Sequence, residues 1–136
     1  MRVDIWTDGS CWPNPGPGGW AAILESGEHR KEMSGPLPET TNIRAELTAV
    51  INALGALRGG PYRVIIHTDS QYVCGAIDGM QNPKANLDLL EELERAETGH
   101  LITADWLRGH TGNANNERCD QLALEARLSL QETNTR

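Results

Sequence analysis

The spacing of apolar and polar residues along this chain predicts five strands and four helices. Alternating or continuous apolar stretches, which are typical of strands, occupy residues 2–8, 20–24, 29–33, 63–68 and 101–107. Apolar residues recur at helical spacing over residues 43–57, 70–77, 86–96 and 115–130. The predicted order of elements is therefore β-β-β-α-β-α-α-β-α.

Glycine and proline separate these elements. The run from Trp12 to Gly19 contains three prolines and three glycines, which predicts a turn that cannot continue a β-ladder. A second turn around Gly27 predicts a hairpin that is antiparallel to the first strand. The first helix is expected to stop at Gly59-Gly60-Pro61, and its candidate capping residues are Thr40, Thr41 and Asn42.

This order predicts an α/β fold in which helices flank a five-stranded mixed sheet. In such sheets, ligands bind at the carboxyl ends of the strands. With 136 residues, the chain has the length of a single domain. We expect that domain to span residues 1–130 and residues 131–136 to form a frayed polar tail.

Composition argues against several classes of protein. No apolar stretch is long enough to cross a bilayer and no signal-peptide pattern is visible, so we expect a cytoplasmic protein without a membrane partner. The three cysteines lack the spacing of a disulfide framework or a zinc ribbon, which favours a reducing compartment. The net charge of −7 argues against a tight, nonspecific nucleic-acid binder. It does not exclude a nuclease, because clustered metal ligands lower the formal charge.

Four acidic residues stand where strands are predicted to end or helices to begin. Asp8 and Asp69 end predicted strands, whereas Glu46 and Asp120 lie near the starts of predicted helices. If the two strands are parallel neighbours, the carboxylates meet at one edge of the sheet. Gathered carboxylates repel one another unless a cation joins them, and Mg²⁺ and Mn²⁺ prefer oxygen ligands. Taken singly, each acid could instead be a helix cap, a turn residue or a solvated surface group.

The segments around these acids closely resemble those of type 1 ribonuclease H. The matching segments, in order along nearly the whole chain, are Thr7-Asp8-Gly9-Ser10-Cys11, Asn14-Pro15-Gly16-Pro17-Gly18-Gly19-Trp20, Thr40-Thr41-Asn42, Glu46-Leu47, Thr68-Asp69-Ser70-Gln71-Tyr72-Val73, Gly109-His110-Thr111-Gly112 and Asn116-Glu117-Arg118-Cys119-Asp120. Seven ordered segments are far more specific than one short motif. The resemblance implies a ribonuclease H-like fold and an endoribonuclease that hydrolyses the RNA strand of RNA–DNA hybrids.

The resemblance also implies roles for particular residues. With substrate bound, two Mg²⁺ or Mn²⁺ ions would be held by Asp8, Glu46, Asp69 and Asp120, and cleavage would leave 5′-phosphate and 3′-hydroxyl ends. His110 would assist proton transfer or product release. The hybrid would be contacted by Cys11, Asn14, Thr41, Asn42 and Gln71. We expect a monomer with no cofactor other than the metal.

One departure from the family pattern concerns the grip on the substrate. Longer members carry an extra helix rich in lysine and arginine, whereas here the corresponding stretch is short and leads into an acidic segment, 88–97. Met80 and Ile43 replace an aromatic residue and a second asparagine that relatives often carry. We therefore expect weak, strongly salt-dependent binding of the hybrid, unless a partner protein supplies the missing affinity.

The sequence leaves alternatives open. The chain could be a non-catalytic hybrid-binding or protein-binding module, or another phosphoryl-transfer enzyme of the same fold, such as a resolvase or integrase core. His110 could be a surface residue, and Cys119 with His110 could form a thiol nucleophile pair, although Cys119 fits better as a small core residue. His67 is expected to be structural, and Trp106 is expected in the core together with Trp6 and Trp20.

Overall fold

The strands and helices follow the predicted order in the structure, a computed structural model that describes residues 1–108 and 112–134. Over these residues the elements are β1 (Arg2–Cys11), β2 (Gly16–Ser26), β3 (His29–Thr40), α1 (Asn42–Gly55), β4 (Arg63–Thr68), α2 (Gln71–Asp78), α3 (Leu87–Glu97), β5 (Leu101–Trp106) and α4 (Ala114–Asn134). The strands of this described part form one mixed five-stranded sheet in the order β3-β2-β1-β4-β5. The predicted α/β fold class is confirmed.

The pairing of β1 decides where the site forms. β1 lies between β2, with which it is antiparallel, and β4, with which it is parallel. β4 in turn pairs in parallel with β5, and β2 and β3 form the predicted antiparallel hairpin. The carboxyl end of β4 therefore lies beside the second half of β1, and the carboxyl end of β5 lies next to that of β4, at one edge of the sheet.

Helices cover both faces of the sheet. α1 packs on the face where Val3, Ile5 and Ile66 are buried, and α3 packs against α1. α4 covers the other face, where Ile23 and Cys119 have no exposed surface. Each large apolar side chain buried in this way contributes about 1.5–3 kcal/mol, so the two layers hold the central strands rigidly.

The second strand begins earlier than predicted. We expected a turn up to Gly19, but β2 begins at Gly16, and Gly19 pairs with Ser10 of β1. A Cβ atom at Gly19 would lie 2.3 Å from the Ala123 carbonyl oxygen of α4. The glycines that look like turn residues in the sequence therefore let a helix backbone pack directly on a strand backbone.

Two helix ends also differ from the prediction. α1 ends at Gly55, before the expected stop at Gly59-Gly60-Pro61. α4 continues to Asn134, so residues 131–134, which we expected to be a frayed tail, are helical. None of the described helices is both long enough and apolar enough to cross a membrane.

Candidate metal centre

Parallel pairing of β1 and β4 brings Asp8 and Asp69 together. Asp69 directly follows β4, as predicted. Asp8 does not end its strand, because β1 continues to Cys11 by pairing with β2 after its pairing with β4 has stopped at Trp6. The expected strand end at Asp8 is therefore wrong. The two carboxylates nevertheless meet, because the ladder between the two parallel strands stops just before both of them.

Glu46 reaches the same point from α1. A Cβ atom on Gly9 would lie 2.6 Å from the Glu46 backbone nitrogen, so only glycine lets the first turns of α1 approach β1 this closely. One carboxylate oxygen from each of Asp8, Glu46 and Asp69 lies within 4.8 Å of the others. Three of the four acids singled out in the sequence are thus gathered at one point.

Burial and mutual repulsion change the acidity of this cluster. Only 6% of the Asp8 surface is exposed. Burial, followed by the charges of Glu46, Asp69 and Asp120, raises the pKa of Asp8 to about 9. Burial and the charge of Asp69 raise the pKa of Glu46 to about 8, and a hydrogen bond from Ser70 opposes that rise. Without a cation, the protein therefore keeps protons on Asp8 and Glu46 near neutral pH.

Asp120 joins the cluster from α4. Its side chain is exposed to solvent, and its hydrogen bond and charge both contribute to the raised pKa of Asp8. The pKa of Asp8 is therefore raised by all three other acids.

The donor set fits a hard divalent cation. Among the described residues, the buried Oε2 atom of Glu46 has no hydrogen-bond partner. The Oδ1 atom of Asp8 accepts one hydrogen bond, from the Gly9 backbone N–H at 2.9 Å. Buried oxygens left without donors are costly unless a cation completes their coordination, and Mg²⁺ and Mn²⁺ take oxygen ligands.

Four of the five residues expected to contact a substrate lie in three segments, the loop after β1, the start of α1 and the start of α2. The Asn14 side-chain oxygen accepts a hydrogen bond from the Asn42 backbone N–H at 3.1 Å, which ties the loop after β1 to the start of α1. Thr41 caps α1, its hydroxyl oxygen accepting from the Arg44 N–H at 3.1 Å. That hydroxyl can still donate its own proton to a ligand. Gln71 is exposed at the start of α2, two residues after Asp69.

Cys11, the fifth residue expected to contact the hybrid, is the last residue of β1. The residue is buried, and its thiol donates towards the carbonyl oxygens of Pro13, at 3.2 Å, and Thr40, at 3.5 Å. Cys11 therefore holds the loop that presents Asn14, and any substrate contact of Cys11 is left to its main chain.

Two further expectations concern histidine and cysteine. His110 lies outside the described residues. Cys119 is completely buried in the core, as expected, and burial together with the charge of Asp8 raises the pKa of its thiol to about 12. A thiol of that acidity stays protonated near neutral pH, which contradicts the alternative of a thiol nucleophile.

Trp106 is a residue whose place the sequence analysis missed. We expected it in the core, but 39% of its surface is exposed at the end of β5. Its indole N–H donates to the Asp69 backbone carbonyl oxygen at 3.3 Å. The signal available in the sequence was its position in the last predicted strand, close to the segment that contains His110.

Comparison with known proteins identifies relatives over nearly the whole chain. The RNase H family model matches residues 1–127. A ribonuclease H from Granulibacter bethesdensis is 51% identical over an alignment of 139 positions, which covers 93% of this chain and 92% of the relative.

Solved structures have the same architecture. LC9-RNase H1, described as a type 1 RNase H with the type 2 active-site motif, is 31% identical with a TM-score of 0.82, and the match covers 94% of this chain and 72% of that one. RNase H1 from the halophilic archaeon Halobacterium salinarum is also 31% identical, with a TM-score of 0.75 and coverage of 93% and 97%.

Proposed function

Because the chain belongs to the ribonuclease H family of metal-dependent endoribonucleases, we propose that it hydrolyses the RNA strand of RNA–DNA hybrids with two bound divalent ions. The observation that carries this proposal is the convergence of Asp8, Glu46 and Asp69 within 4.8 Å at the edge of the sheet. A binding module has no need to bury carboxylates that repel one another, whereas a metal site does.

The residues of the chain supply the ligands and their orientation. The ions, Mg²⁺ or Mn²⁺, would be held by Asp8, Glu46, Asp69 and Asp120. When bound, they would activate a water molecule and stabilise charge on the leaving 3′-oxygen, giving 5′-phosphate and 3′-hydroxyl products. His110 would move a proton or promote product release.

Substrate choice would depend on sensing 2′-hydroxyl groups on only one strand, since that group distinguishes RNA from DNA. The hydrogen bond from the Asn42 backbone N–H to the Asn14 side chain supports this role, because it ties the loop that carries Asn14 to the start of α1, the helix that also carries Glu46. Gln71 would contact the hybrid from the start of α2. The Thr41 hydroxyl, at the N-terminus of α1, would donate to a phosphate of the DNA strand.

Weak hybrid binding is part of the proposal. α3 carries Asp88 and four glutamates, and the chain as a whole has a net charge of −7. Asp88 also occupies Arg44 in a bidentate ion pair, with N–O distances of 3.0 and 2.8 Å. Affinity should therefore be low, and nanomolar binding at physiological salt would refute this part of the proposal.

The proposal is tested by cleavage of a labelled RNA–DNA hybrid, with duplex DNA and duplex RNA as controls. Reactions at low salt contain Mg²⁺, Mn²⁺ or EDTA. The matched variants are Asp8→Asn and Asp4→Asn, which remove one carboxylate each from the same strand. We expect metal-dependent cleavage of the RNA strand of the hybrid alone, lost in Asp8→Asn and retained in Asp4→Asn. Hybrid binding without cleavage would favour a binding module, and cleavage of duplex DNA would favour a resolvase-like enzyme.

A further inference from the structure

A solvent-exposed aromatic residue and a cation are paired beside Asp69. Trp106 ends β5, and its indole N–H donates to the Asp69 carbonyl oxygen at 3.3 Å. The Arg108 guanidinium carbon lies over the indole ring, 5.0 Å from its centroid. The hydrogen bond fixes the ring against the backbone of a proposed metal ligand, and the ring then fixes the guanidinium.

A stacked guanidinium is suited to binding a phosphate. Its apolar face is covered by the ring, while its N–H groups remain at the edge, in the fork that matches two phosphate oxygens. Within residues 1–108 and 112–131, no carboxylate forms a salt bridge with Arg108. Its charge is therefore available to an anion from solution.

Other arginines have different partners. Arg44 is occupied by Asp88 of α3, at 2.8 Å. Arg118 is occupied by Glu32 of β3, at 3.0 Å. Arg108 thus combines three properties: a fixed position, a place next to the carboxylate cluster and no acidic partner in the described structure.

We propose that Arg108 binds a backbone phosphate of the hybrid beside the cleavage site, and that Trp106 is the positioning residue that holds it there. This inference rests on the proposed function and deepens it, because it identifies a phosphate contact that does not depend on the missing basic helix. The contact is independent of base sequence, since it engages only the backbone.

The test compares Arg108→Gln with Arg63→Gln, a control that removes the same charge from the exposed start of β4. Steady-state cleavage is measured over a series of salt concentrations. We expect Arg108→Gln to raise KM about tenfold at low salt, with kcat nearly unchanged. The slope of log(kcat/KM) against log[salt] should become shallower by roughly 0.7–0.9, the value of one phosphate contact. Arg63→Gln should change neither quantity.

Substitutions of Arg108 and Trp106 separate the effect of the positive charge from the effect of its fixed position. Arg108→Lys should keep the salt slope but recover only part of the affinity, because an ammonium group cannot stack as a plane. Trp106→Leu should raise KM towards the value of Arg108→Gln, and adding Arg108→Gln to it should have little further effect. Trp106→Phe, which keeps an aromatic face, should retain more of the affinity than Trp106→Leu.

Different results would refute the phosphate contact of Arg108 and the proposed function. If the wild type cleaves hybrids but Arg108→Gln has an unchanged KM and salt slope, the phosphate contact is wrong and the proposed function stands. If the wild type does not cleave, the proposed function fails, and the salt dependence of hybrid binding by fluorescence anisotropy still tests Arg108. Independent, additive effects of Trp106→Leu and Arg108→Gln would overturn the positioning role of Trp106.

Discussion

Strands β1 and β4 contribute to two acidic clusters, one around Asp4, which has cationic and histidine partners, and one around Asp8, where the charged neighbours are other acids. Asp4 and Asp8 lie on the same face of β1, four residues apart. Asp4 accepts two hydrogen bonds from the Arg2 guanidinium, at 3.0 and 3.1 Å, and lies 2.8 Å from His67 Nε2. The other ring nitrogen of His67 lies 2.7 Å from Asp105 Oδ2.

The hydrogen-bonding partners of Asp4 reverse the effect of burial on its pKa. Burial alone would raise the pKa of Asp4, but the hydrogen bonds from Arg2 and His67 outweigh it and lower the pKa. For Asp8, burial and three acidic neighbours act in the same direction and raise the pKa to about 9. The difference shows that this sheet can neutralise its acids where structure alone is at stake. At Asp8, repulsion is left uncompensated, as a site for external cations requires.

The largest expected effect comes from removing one carboxylate of the unpaired cluster, which is formed by Asp8, Glu46, Asp69 and Asp120. Asp8→Asn or Asp69→Asn should reduce hybrid turnover by at least about a thousandfold, because several kcal/mol of metal-dependent stabilisation are lost. The fold should remain intact or become more stable, since one repelling charge is gone. Steady-state kinetics and thermal unfolding measure the two effects. Substantial activity in either variant would remove the assignment of the metal ligands.

Two of the four histidines, His67 and His110, extend the comparison. His110→Ala should slow turnover by roughly a hundredfold without abolishing it, as expected for loss of a proton-transfer group. His67→Gln should instead lower the free energy of unfolding by about 1–3 kcal/mol, because two carboxylates lose a hydrogen-bond partner. pH–rate profiles and denaturant unfolding separate these outcomes. An unchanged pH–rate profile for His110→Ala would exclude the proton-transfer role.

Stability against pH should reveal the unpaired cluster directly. In EDTA, folded Asp8 and Glu46 keep protons up to about pH 8–9, whereas the unfolded chain releases them near pH 4. The folded state therefore binds more protons between these limits, and the free energy of unfolding falls as pH rises from 5 to 9. We expect a decrease of more than about 1.4 kcal/mol, the value of one pKa unit, and a smaller decrease in excess Mn²⁺. A profile in EDTA that is flat or rising over this range would contradict the raised pKa values.

The smallest effect is expected at Asp105, the exposed end of the paired cluster, which is formed by Asp4, His67 and Asp105. Asp105→Asn should change stability by less than about 1 kcal/mol, because half of this side chain is exposed and its ion pair is screened by solvent. Turnover should be unaffected. Equilibrium denaturation of this variant beside His67→Gln checks the order of the two effects, and a larger loss in Asp105→Asn would reverse our interpretation of the paired cluster.

Local pattern predicts the elements of this fold well because periodicity is a local property. The buried strand that runs into Asp69 was sufficient to expect that Asp8 and Asp69 meet if this strand is a parallel neighbour of the first, although the expected strand end at Asp8 was wrong. The contact between Asp4 and His67 could not be predicted, because it depends on the lateral register of β1 and β4. For the same reason, the last part of the expected turn, from Gly16 to Gly19, is strand: Gly19 is required by the packing of α4, which lies more than a hundred residues away in sequence.

Side-chain direction was also beyond the sequence. Cys11 stands in a segment that resembles a substrate-binding loop, yet its thiol points into the protein, where three carbonyl oxygens surround it. Trp106 reads as a core residue from its strand, yet it lies at an exposed edge because β5 has a partner on only one side. Both outcomes depend on which neighbours complete the surroundings of a side chain.

The central claim, that the unpaired carboxylates hold divalent cations, is tested most directly by calorimetric titration of Mn²⁺ at neutral pH. The wild type is compared with Asp8→Asn and Asp4→Asn. We expect the wild type and Asp4→Asn to bind Mn²⁺ with the same affinity, and Asp8→Asn to bind at least about tenfold more weakly, because it has lost a carboxylate ligand. Equal binding by all three proteins, or no binding by the wild type, would contradict the central claim.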